Sequence, residues 1–231
     1  MDDGELMRIQ AETLFNYDGR GRIVRDNVLD GGPAPRLFVG RTLRGDVVRF
    51  GETLPDTVVR RLAALLEREP SATEIRSAPT AAAALWDVLE SHASVAAHEG
   101  RPAYCFPDAL PQPVGVVLVT DKNAALLQHT FPPLFRTDAA RQQCVAVVRD
   151  AAAVSVCLSS RIGARAAEAE VETLPDFRGR GYAAAVTAGW GMLERAAGST
   201  PLYCTSWENL ASQGVARRVG LTMYDADLYW T

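Results

Sequence analysis

The stretch V-E-T-L-P-D-F-R-G-R-G-Y-A, Val171 to Ala183, decides how this chain of 231 residues is read. Its first four residues close an alternating run that predicts a strand from Ala166 to Leu174. Pro175-Asp176 breaks that strand. Gly179 and Gly181 then sit in a short loop, and an apolar periodicity predicts a helix from about Gly181 to Ala197. A glycine loop that opens a helix suits an anion. Glycine removes the Cβ atoms that would hold a ligand off the backbone. The first amides of the helix have no intrahelical acceptor and lie at the positive end of its dipole. Arg178 and Arg180 add positive charge on either side of Gly179. The pattern predicts a seat for the pyrophosphate of a nucleotide-like cofactor. A Walker loop is excluded because no Gly-Lys-Ser/Thr follows. A dinucleotide fold is excluded because the parallel β-α-β context and the acidic ribose partner are missing.

Around this stretch the reading is mixed α/β. Strands are expected at Cys144–Arg149 and Ala152–Ser159 before it, and at Leu202–Ser206 and Leu221–Trp230 after it. A second helix is expected over Asn209–Val219, ended by Gly220. Further upstream, Glu5–Asn16 reads as a helix and Arg22–Asn27 as a short strand. Arg36–Thr42 and Asp46–Phe50 read as a hairpin turning at Arg44-Gly45. Helices follow from Pro55 and from Pro79 to His92. A second hairpin, Ser94–His98 with Arg101–Phe106, would turn at Glu99-Gly100. Val114–Thr120 reads as a buried strand, Asn123–His129 as a short helix, and Phe131–Arg141 as irregular. The pattern changes from Gln142. It suggests an N-terminal α/β region over 1–120 and a second domain over 121–231.

Composition sets limits on function. Hydrophobic residues make up 48% of the chain and charged ones 23%, enough apolar material for a substantial core. The net charge of −4 argues against a dedicated nucleic-acid binder. The four cysteines and three histidines lack metal-ligand spacing, so no metal is expected. The N-terminus has no apolar signal core and no run reaches membrane-spanning length, so a soluble cytoplasmic protein is expected.

Two signatures in order carry a resemblance. Arg178-Gly179-Arg180-Gly181-Tyr182-Ala183 follows a strand ending T-L-P-D-F. Then, behind the strand L-Y-C-T-S, Asn209 and Ser212 open a helix that closes on A-R-R-V-G-L at Leu221. Over residues 142–231 the chain resembles the GNAT superfamily of acyl-CoA-dependent N-acetyltransferases. The resemblance implies the GNAT fold, a mixed and mostly antiparallel sheet flanked by helices. The N-terminal α/β extension, whose P-A-P-R-L-F-V-G-R-T is similar to the start of some bacterial GNAT proteins, would be a degenerate second copy, a substrate lid or a dimer surface.

The resemblance also implies roles. Thr173 and Leu174 would hold the pantetheine arm and polarise the thioester carbonyl. Arg178, Gly179, Arg180, Gly181, Tyr182 and Ala183 would seat the pyrophosphate of acetyl-CoA. Asn209 and Ser212 would face the thiol end, Asn209 also serving as a helix cap. Glu168, Glu170 and Glu172 share one strand face. Among them Glu172, with Glu170 behind it, is the candidate base for an amine acceptor, small molecule or peptide. The tyrosine that often protonates the thiolate in this superfamily aligns with Ala216. Tyr182, Tyr203, Tyr224, Ser212 or solvent would replace it. A catalytically silent acyl-CoA-binding module is the competing reading, and transfer to a hydroxyl a third. Neither membrane nor nucleic acid is an expected partner, and the reading leaves room for a homodimer.

Overall fold

In the computed structural model of the chain, residues 1–28, 31–96, 98–136 and 142–231 are described. In chain order the elements are α1 (Asp3–Leu14), β1 (Phe15–Tyr17), β2 (Ile23–Asp26), β3 (Leu37–Thr42), β4 (Gly45–Phe50), α2 (Asp56–Leu66), α3 (Ala82–His92) and β5 (His98–Cys105). There follow β6 (Val116–Leu118), α4 (Pro132–Arg136), β7 (Val145–Arg149), β8 (Ala152–Ile162), β9 (Ala166–Thr173), α5 (Tyr182–Ala196), β10 (Thr200–Cys204), α6 (Leu210–Val219) and β11 (Thr222–Trp230). The chain divides into two compact units. One comprises residues 1–103 and 223–231, the other residues 104–222. Residue 120 therefore lies inside the second unit, and the C-terminal nine residues belong to the first.

In the first unit β3 is paired antiparallel with β4 on one side and β11 on the other, with Val39 opposite Val48 and Leu228. One face carries Leu37, Val39, Leu228 and Trp230 against Leu62, Leu85 and Leu89 of α2 and α3. The other face receives α1, which starts where the Asp2 side chain accepts the Glu5 N–H at 2.8 Å. Gly40 makes that approach possible, because a Cβ there would lie 2.1 Å from Met7 Sδ. Phe38 meets Phe15 and Tyr229 edge to face beside it. Arg41, almost fully buried, is held by Asp46 at 3.2 Å and Glu69 at 3.1 Å.

In the second unit the strand order is β10-β9-β8-β7-β6, antiparallel except for the β9–β10 pair. α5 packs Val186, Ala188 and Trp190 on one face of this sheet, with Phe106 alongside. Gly191 admits the Phe106 ring, which a Cβ would meet at 2.6 Å. The other face carries Ala146, Val156 and Leu158 against Leu127 and Phe131. Trp190 Nε1 donates to Ser159 Oγ at 3.0 Å, and that hydroxyl donates to buried Glu194. A buried carboxylate on an apolar helix face thus has its partner.

Three sequence expectations are corrected. No turn forms at Glu99-Gly100: β5 runs from His98 to Cys105 without a break, and a glycine inside a strand does not by itself end it. Ala97, in the expected partner strand, lies outside the described residues. The Val114–Thr120 run yields only β6. It pairs with β7 alone and leaves Val117 and Leu118 substantially exposed, because an edge strand has one neighbour rather than two. Pro132–Arg136 forms a helical turn instead of irregular chain, with proline at the first position where its missing N–H costs nothing; residues 137–141 of that stretch lie outside the described residues.

Candidate active site

The geometry of the site begins where two strands part. β9 and β10 pair in parallel at Thr200–Ala166, Pro201–Ala167 and Leu202–Glu168, and there the register ends. β9 continues to Thr173 paired with β8 only. The Leu174 N–H donates to Val154 O at 3.0 Å. In an antiparallel ladder this makes Glu172–Val156 and Glu170–Leu158 the mutually bonded pairs. The peptide groups of Val171 and Thr173 consequently face away from β8, along the edge that β10 has left. Arg178 Nε confirms the direction by donating to Thr173 O at 3.2 Å. Leu174 spends its amide on β8 and its side chain on the core.

Beyond β9 the chain makes one 3-10 turn, Pro175–Phe177, and then the glycine loop. Gly179 has φ +74° and Gly181 φ +83°, values at which any other residue is strained. Gly181 is the residue before α5. The first intrahelical bond in that turn is Ala185 N–H to Gly181 O. Among the described residues nothing accepts the N–H groups from Gly179 to Ala184. They form an arc of donors at a helix N-terminus.

These parts enclose a cavity of about 570 Å³. Of the residues singled out in the sequence, Glu172, Thr173, Arg178, Gly179, Gly181, Tyr182, Ala183, Asn209 and Ser212 line it. Leu174, Arg180 and Glu170 do not. Arg180 is turned back: it donates to Asp176 O at 3.0 Å and stacks on the Phe177 ring at 5.1 Å. Of the three glutamates, Glu168 is buried and paired with Arg161. Glu170 and Glu172 are exposed. Loss of solvent around the Glu170 carboxyl raises its pKa, the Glu172 and Glu168 charges add to the rise, and Arg161 opposes it.

The wall opposite β9 comes from α6 and the end of β10. The Asn209 side chain accepts the Ser212 N–H at 3.0 Å and starts α6. Ala211, Gly214, Val215 and Arg218 also line the cavity. Their spacing is i, i+3, i+4, i+7, one helix face with small residues ahead of a single arginine. The Arg218 guanidinium sits 3.4 Å from where a Gly181 Cβ would be, beside the donor arc. Sequence reasoning missed Arg218, although that helical stripe was its signal. Ala216 lies off this face, fully buried in the core. Tyr203, the first residue of β10 past the split, reaches the cavity with its hydroxyl 2.6 Å from Ser212 Oγ. Tyr224 belongs to the first unit. Among the described residues no group of histidine, cysteine, aspartate and glutamate could hold a metal ion, and no helix is long and apolar enough to cross a membrane.

No protein-family model and no curated protein matches the chain. Solved structures do. A chain of Novosphingobium aromaticivorans assigned to the GNAT acetyltransferases is 21% identical over 59% of this chain, with TM-score 0.45; this chain spans 65% of its length, just under two thirds. A GNAT-family acetyltransferase of Colwellia psychrerythraea is 12% identical over 80% of this chain and 76% of its own, with TM-score 0.49. A GCN5-related N-acetyltransferase-like protein of Streptococcus suis is 17% identical over 99% of both chains, also with TM-score 0.49. These likenesses are distant, and what the site can hold is decided by this chain's own residues.

Proposed function

We propose that the second unit is an acetyltransferase of the GNAT type, moving an acetyl group from acetyl-CoA to a primary amine by direct attack. One observation carries the reading: a parted strand edge leads straight into an arc of unaccepted amides. CoA has the matching sequence of groups. Its pantetheine arm carries amides that would pair with the Val171 peptide group and the Thr173 N–H, as an added strand does. Its pyrophosphate would occupy the arc from Gly179 to Ala184, with Arg178 and Arg218 supplying charge. A donor on the Val171–Thr173 edge would polarise the thioester carbonyl. Glu172, on the cavity wall at the same edge, would take the proton of the incoming ammonium, directly or through a water. Holding both reactants side by side would provide most of the acceleration.

Titration with CoA in a calorimeter tests the cofactor assignment. The two loop arginines are expected to differ. Arg178→Ala should weaken binding roughly 10-fold, the loss of one charge-assisted contact. Arg180→Ala should weaken it less, because that side chain is turned away from the cavity onto Asp176 and Phe177. Unchanged affinity in the double variant would remove the phosphate-loop assignment. Release of free thiol from acetyl-CoA, followed against a panel of amines and alcohols, separates N-transfer from O-transfer. It also tests the competing reading, a silent acyl-CoA-binding module, which predicts cofactor binding with no thiol released.

Glu172→Gln is expected to lower the rate at neutral pH by roughly 10²-fold, the range for one general base. A base acts deprotonated, so the native rate should rise with pH and the variant's should not. Cofactor affinity should be spared. A variant with the native pH–rate profile would show that Glu172 is not the base.

A further inference from the structure

The acetyl-transfer reading leaves one chemical problem: as the C–S bond breaks, an electron pair moves onto sulfur and needs a partner. The α6 wall of the cavity offers Ala211, Gly214 and Val215, none able to donate from its side chain, Arg218 beside the glycine loop, the amide of the capping Asn209, and one hydroxyl, Ser212. Ala216 is packed in the core and turned away. Among the described residues two phenols line the cavity, Tyr182 and Tyr203. Tyr182 stands in the first turn of α5 under the Arg149 guanidinium, 4.9 Å from its ring, at the phosphate end. Tyr203 stands where β9 and β10 part and bonds Ser212, six residues ahead of the Arg218 that flanks the glycine loop.

Tyr203 is 3% exposed and its ring lies edge-on to Tyr104 at 6.2 Å, so its orientation is set by packing. Its hydroxyl has two partners on one residue: Ser212 Oγ at 2.6 Å and Ser212 O at 3.2 Å. The two bonds define two proton arrangements. If the phenol donates to the carbonyl, the serine donates to the phenol and shows no proton to the cavity. If the phenol donates to Oγ, the serine proton is released to point into the cavity. The pair therefore presents a donor when an acceptor arrives.

We propose that Ser212, oriented by Tyr203, donates the hydrogen bond that stabilises the sulfur of the acyl donor as the thioester breaks. Ser212 is then a catalytic residue, and Tyr203 a positioning residue acting through it. This inference rests on the acetyl-CoA reading of the cavity. In the step itself the amine nitrogen forms a bond to the carbonyl carbon and the C–S bond breaks. The electron pair goes to sulfur, the amine proton to Glu172 or water, and the thiolate leaves under the Ser212 hydroxyl to be protonated by water. No proton need leave the phenol. Burial pushes the Tyr203 pKa up to about 12, with the Ser212 hydrogen bond opposing the rise, so the phenol remains a donor across the working range.

The test uses the full chain with acetyl-CoA as donor and hydroxylamine as a small generic acceptor, reading free thiol and hydroxamate. Ser212→Ala and Tyr203→Phe are each expected to lower kcat about 10- to 100-fold, with KM for acetyl-CoA changed less than about threefold. The double variant should be no worse than Ser212→Ala alone. Ser212→Thr, which keeps the hydroxyl, should restore most of the rate. With acetyl thioesters of more acidic thiols, the deficits of Ser212→Ala and Tyr203→Phe should shrink, a response that a merely structural contact would not give. Unchanged kcat, or a raised KM with kcat intact, overturns the proposal. Native protein that binds CoA but releases no thiol overturns it too while leaving the cofactor assignment standing. Native protein that fails to bind CoA removes the reading beneath it.

Discussion

Gly181→Asp is expected to lower CoA affinity at least 100-fold while the protein stays folded. The residue before α5 has φ +83°, and aspartate tolerates that region at a cost of about 1 kcal/mol, less than most residues. A Cβ at this position meets the Arg218 guanidinium at 3.4 Å, the far end of a flexible side chain that can give way. The new carboxylate would stand between Arg218 and the arc of amides. It would pair with the first and accept from the second, filling the seat with an anion of its own. The incoming pyrophosphate would lose its donors and meet a like charge. A 100-fold loss corresponds to about 2.7 kcal/mol, within reach of two charge-assisted contacts. Gly181→Ala separates the terms: it adds the Cβ and the backbone strain without the charge, and should cost much less affinity. Calorimetry with CoA reads both variants, and a melting curve reads the fold. Equal affinity of the aspartate variant and the native protein would show that the arc does not hold phosphate.

The two signature stretches were legible because their conformation is set locally. A strand broken by Pro175, glycines at positive φ and a helix opening at Tyr182 are all local, and sequence reports local conformation well. The Asn209 cap and the Gly220 stop of α6 were readable for the same reason. What failed depended on neighbours distant in sequence. Val114–Thr120 looks like a buried strand until its place at the sheet edge, with β7 as its one partner, is known. The Glu99-Gly100 step looks like a turn unless the strand running through it has a partner in β11. The Leu174 N–H, expected to be open to a ligand, donates to Val154 O instead, since which alternate amide faces β8 depends on register. Arg218, missed despite its helical stripe, and Tyr203, named as one of several candidates, could not be joined as parts of one wall, because that wall exists only once α6 packs beside the parted strands. In the first unit, the reason for two aspartates inside β11 lies wholly in tertiary structure.

Asp225→Asn is expected to stabilise the protein, by an amount that grows with pH. Asp225 and Asp227 stand two apart on β11 and are fully buried. Asp227 Oδ2 accepts from Gln10 Nε2 at 2.6 Å and from the Tyr229 hydroxyl at 3.1 Å. Asp225 has the adjacent Ala226 N–H on one oxygen, and on the other no partner among the described residues. Burial pushes its pKa up to about 10, the Asp227 charge adds to the rise, and the Ala226 N–H opposes it. The folded pKa is thus raised above the unfolded one, so the folded state holds a proton that the unfolded state releases. Below pH 4 both states are protonated and the group costs little. As pH climbs from the ordinary aspartate value toward 10, folding has to retain that proton against its release, and stability falls by up to about 1.4 kcal/mol per pH unit. An amide has nothing to retain and can donate to the Asp227 carboxylate. The variant should therefore match the native protein near pH 3.5 and exceed it by about 2–4 kcal/mol at pH 7. Urea unfolding at a series of pH values measures the difference directly. A gap that does not change with pH would mean that Asp225 is ionised in the folded protein.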